Sequence, residues 1–69
     1  MLSGEVKERI KELERKRDEL LDELKELDKK RKAGEISEEE YKERRHTIER
    51  DLVEIMDRLA QMKFISSGM

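Results

Sequence analysis

The nine residues Ala33-Gly34-Glu35-Ile36-Ser37-Glu38-Glu39-Glu40-Tyr41 constrain this chain more than any others, because they read in order as a helix stop, a turn and a helix start. Gly34, with no Cβ, takes the left-handed conformation that closes a helix C-terminus at little cost. Ser37 suits the next N-cap: its hydroxyl can accept from the Glu40 amide, and the Glu40 carboxylate can reach back to the Ser37 amide. Ile36 and Tyr41 stand where a hydrophobic staple would set the angle of the second helix. Glu38, Glu39 and Glu40 lie at the positive end of that helix's dipole, and Lys29, Lys30, Arg31 and Lys32 lie at the negative end of the preceding one. These signals converge on one helical hairpin.

The segments on either side support it. From Glu5 to Ala33 there is neither Pro nor Gly, and the seam runs Val6, Ile10, Leu13, Arg17, Leu20, Leu24, Leu27, Arg31. The steps alternate four and three, a heptad pattern with Ile10, Arg17, Leu24 and Arg31 at a. The second segment repeats the rule through Tyr41, Arg45, Ile48, Leu52, Ile55, Leu59 and Met62. We therefore expect an all-α fold of two long helices in an antiparallel coiled-coil hairpin. Helix 1 spans about residues 5–33, the turn 34–37 and helix 2 about 38–65, with a short C-terminal tail. Ser3 is a candidate N-cap for helix 1.

Turning about residue 36 sets Arg31 near Tyr41, Leu24 near Ile48, Leu20 near Leu52 and Leu13 near Leu59. A shift of one layer is the alternative register, and it fits the caps less well. Opposite charges at i, i+4, such as Glu12 and Lys16, Glu26 and Lys30, Glu40 and Arg44, and Glu54 and Arg58, add about 0.2–0.5 kcal/mol each. Arginine at three a positions (Arg17, Arg31, Arg45) can lay its stem along the seam and hold its charge at the rim, which selects register. Arg31 stacked over Tyr41 would make a cation–π contact.

Composition sets the limits. With 52% charged residues, the chain would read as disordered if its apolar side chains were scattered; their strict spacing argues for helix. Sixty-nine residues make one small domain with a thin core, and with no cysteine and no evident metal site, self-association is the expected remedy. The lack of cysteine, of a long apolar run and of a leader leads us to expect a cytoplasmic protein without membrane insertion. A net charge of −2 argues against general affinity for nucleic acid or anionic membrane. The Lys/Glu/Arg richness, a single Gln and no Asn resemble thermophile usage.

Helix 2 carries a second apolar stripe beside its seam, Val53, Met56, Ala60 and Phe64, and helix 1 adds Leu21. A two-helix hairpin buries one stripe per helix, so the surplus calls for a further surface. The expected outcome is a homodimer forming a four-helix bundle, or a groove for another protein.

Other chemistry is thinly represented. Glu43 and His46 have the Glu-x-x-His spacing of di-iron carboxylate bundles, but their heptad positions, f and b, face outward. His46 is the only histidine, and no phosphate loop, cysteine pair or nucleophile motif occurs. We expect no catalytic residue, no metal and no cofactor. Lys29, Lys30 and Lys32 form a basic patch at the turn end, where the neighbouring glutamates make nucleic-acid contact the lesser alternative.

The stretch from Leu27 through Gly34-Glu35-Ile36-Ser37-Glu38-Glu39-Glu40-Tyr41 to Arg44, Arg45 and Ile48 resembles the short C-terminal (SHOCT) helical-hairpin motif. It is also similar to the coiled-coil segment of archaeal cell-division (Cdv-type) proteins. The likeness covers about a third of the chain, and the helices here are much longer than in the short motif. It implies oligomerisation or adaptor work, in an archaeal setting if the second likeness holds, and it carries over no catalytic residue. The reading is a non-enzymatic interaction or oligomerisation module whose face is Leu21, Val53, Met56, Ala60 and Phe64. The alternative is a nucleic-acid-associated factor using the basic turn end.

Overall fold

The computed structural model describes residues 4–67. Two helices, α1 (Gly4–Lys32) and α2 (Glu38–Ser67), fold back on each other as an all-α hairpin with extents of 51 × 15 × 13 Å. Helix α2 continues two residues past the end that periodicity suggests, because nothing from Ile65 to Ser67 breaks a helix. Ser3 lies outside the described residues.

The turn is built from backbone bonds. The amide of Glu35 donates to the Lys30 carbonyl at 2.9 Å and that of Gly34 to the Arg31 carbonyl at 3.0 Å. Together they form a Schellman motif and satisfy carbonyls that a helix end leaves open. Gly34 has φ +73°, which the motif requires and a side chain resists. Three residues on, the Glu40 amide donates to Ser37 Oγ at 3.1 Å, so half of the capping box is made. The Glu40 carboxylate turns instead to Arg44, at 2.8 Å.

A Cβ built on Gly34 meets nothing within 4 Å, so alanine there carries a conformational cost and no clash. Gly34→Ala is expected to lower stability by about 1 kcal/mol, the cost of one residue held left-handed. A urea melt checks this: the midpoint should fall while the slope stays the same.

The core is one seam, and it is asymmetric. Leu13 and Leu27 of α1 and Tyr41, Leu52 and Leu59 of α2 are buried, whereas Ile10, Leu20, Leu24, Ile48, Ile55 and Met62 are half-buried. Apart from Tyr41, these buried side chains hold d in α1 and a in α2, and Leu20, at d in α1, is half-buried. The remaining layers lie nearer the edges of the contact.

The three arginines at a positions all place their charge at the rim. Arg17 bonds Asp18 through Nε and Nη2 at 3.2 Å, Arg31 Nε bonds Glu38 at 2.8 Å, and Arg45 Nε bonds Glu49 at 3.2 Å. Of the expected i, i+4 pairs, Glu40–Arg44 and Glu54–Arg58 form. Glu26 is held by Lys29 at 3.5 Å rather than by Lys30.

Candidate functional site

In an antiparallel pair of heptad helices, positions e of both helices share one flank of the contact and positions g share the other. The hairpin therefore has two sides of different chemistry.

The e flank carries the surplus apolar stripe. Glu14, Leu21 and Asp28 hold e in α1, and Glu49, Met56 and Lys63 hold e in α2. Glu14 and Lys63 meet across the helices at 3.5 Å, which marks the flank as shared. Next to this row, α2 presents Val53, Ala60 and Phe64. Exposure is 69% for Val53, 48% for Met56, 71% for Phe64 and 38% for Leu21, and Ala60 is exposed as well. Ile65, at 71%, is a further open apolar side chain outside the stripe. It holds a g position, so its spacing did not mark it.

At the turn end a polar node surrounds the one described aromatic ring that is buried. Tyr41 is 4% exposed; its hydroxyl donates to Asp28 Oδ1 at 2.7 Å and accepts from Arg45 Nη1 at 3.1 Å. The Arg31 guanidinium lies 4.6 Å from the ring centroid, over its face. Arg45 is 5.9 Å away, but its bond to the hydroxyl places it at the ring edge, so it acts as a donor more than as a cation on the π face. Bonds to Glu38 first and then contact with Tyr41 raise the pKa of Arg31; bonds to Tyr41 and then Glu49 raise that of Arg45. A raised cation pKa holds its stabilisation at every pH below the ordinary arginine value, so both groups stay charged through the neutral range. Sequence spacing brought Arg31 to Tyr41, whereas Asp28, at e, was not foreseen as the tyrosine's partner.

Lys29, Lys30 and Lys32 are exposed at the end of α1, with Lys29 on Glu26. Around them Arg31, Arg44 and Arg45 are each paired with a glutamate, which lowers the positive potential there. Glu43 and His46 are both exposed. No group of three or more His, Cys, Asp or Glu among the described residues is placed to hold a metal ion. No helix among them is long and apolar enough to cross a membrane.

The g flank is a shallow groove between the helices with charged rungs. From the turn towards the helix ends, the rungs are Lys30 with Arg44, then Glu23 with Asp51, then Lys16 with Arg58. Each pairs like with like, and like charges facing each other across a contact are unfavourable. Among the described residues Lys16, Glu23, Lys30 and Asp51 make no ion pair, while Arg44 and Arg58 bond glutamates of their own helix.

No protein-family model matches the chain, and no curated protein or solved structure is detectably similar to it.

Proposed function

We propose that the hairpin is a non-enzymatic interaction module that self-associates, two copies forming a four-helix bundle over the e flank of α2. One observation carries this reading. Val53, Met56, Ala60 and Phe64 follow each other along α2 with their apolar surface open, and Leu21 on α1 lies on the same side. A contiguous apolar face of this kind marks an association site more often than a tolerated exposure. Met56 and Phe64 would be the anchors, since large flexible or aromatic side chains carry most of the energy of such contacts.

The test is the mass in solution by light scattering after size exclusion, across a concentration series. The wild-type chain should run as a dimer or larger, and Val53→Asp with Met56→Asp should lower the mass at every concentration. An unchanged mass in the double variant assigns association to some other surface. A wild-type monomer would mean that the face is reserved for a different protein.

A further inference from the structure

We propose that the g flank is a second self-association surface, which takes another copy of this chain antiparallel to the first. This goes beyond the reading of the apolar face and rests on separate residues. Two features carry it, the order of charges along the groove and the lack of opposite charges across it.

Glu23 with Asp51 and Lys16 with Arg58 stand one heptad apart, about 10 Å along the rod. Glu19 and Glu54 stand on the rim of the acidic rung, bonded within their own helices to Arg15 and Arg58, and Arg9, with Glu12 beside it, extends the basic end beyond Lys16. Glu26 and Glu43 flank the third rung, Lys30 with Arg44, and offset it. The flank thus runs from an acidic middle to a basic end.

Such a surface is self-complementary in one orientation. A parallel copy in register sets acid on acid and base on base. A copy turned about a two-fold axis midway between the two rungs sets each rung on its opposite, and does so twice by symmetry. Under the rungs the groove floor carries half-buried Leu20 and Ile55, which a second hairpin would cover. Charges at g positions select partner and direction in coiled coils. Here they disfavour the intramolecular neighbour and fit an antiparallel copy.

The test uses the full chain carrying Val53→Asp and Met56→Asp, so that the apolar face is already disabled. At low salt this protein should still weigh two chains. Adding Lys16→Glu and Arg58→Glu makes both rungs acidic and should reduce the mass to one chain. Adding Glu23→Lys and Asp51→Lys instead makes both basic, with the same result. Mixing these two variants should restore a 1:1 pair, and reversing both rungs in one chain should restore self-pairing. High salt should weaken every pair. The proposal is overturned if the starting protein is a monomer at low salt, if one reversed rung leaves its mass at two chains, or if the oppositely charged variants, both helical by circular dichroism, stay apart when mixed. Because the apolar face is disabled throughout, failure here leaves that reading standing, and failure of that reading leaves this test readable.

Discussion

Leu27→Ala is expected to destabilise the hairpin by about 2–5 kcal/mol, the range for emptying a buried leucine site. In a small domain with five buried apolar side chains among the described residues, that is a large share of the total stability. Leu27 is 4% exposed and Leu24, one turn earlier, is half-buried. Leu24→Ala should therefore cost clearly less, since solvent already reaches part of its surface. Thermal melts of the two variants at one protein concentration provide the comparison. Equal losses would mean that the asymmetry of the seam has no energetic counterpart.

Tyr41→Ala is the second large effect, about 3–5 kcal/mol by analogy with other buried aromatics. Tyr41→Phe separates the ring from its hydroxyl. It keeps the packing and the face under Arg31 but removes the bonds to Asp28 and Arg45, and should cost about 1 kcal/mol, since Asp28 is exposed and regains water. A double-mutant cycle with Asp28→Ala isolates the pair: the second substitution should cost little once the first is made. Full additivity would show that the 2.7 Å bond contributes nothing measurable to stability.

The hairpin was legible in the sequence because its signals are local. Gly34 and Ser37 act through backbone groups within a few residues, and the four-three spacing needs only helical geometry to predict which side chains meet. What escaped depends on neighbours across the seam. Spacing gave the same standing to Leu13 and Ile10, yet one is buried and the other half-buried, because the helices meet off-centre. Asp28 belongs to the flank in the heptad, and only the approach of α2 gives it to Tyr41. The like-charged rungs are written in the sequence at the g positions from Lys16 to Lys30 and from Arg44 to Arg58, but they carry meaning only once the fold pairs them. The apolar stripe on α2 could be read from spacing; what covers it is a matter of mass and mutation.

The Schellman turn has a mechanical consequence. Since α1 begins and α2 ends at the same end of the rod, a load applied through those two ends does not shear the seam but peels it. Layers then open one after another from the far end, each resisting alone, so the hairpin yields at low force and over a long extension. The last layers to part are those of Leu27 and Tyr41, beside the bonded turn. A chain held open to that point keeps its turn and its tightest contacts, and can close again from there as soon as the load is released.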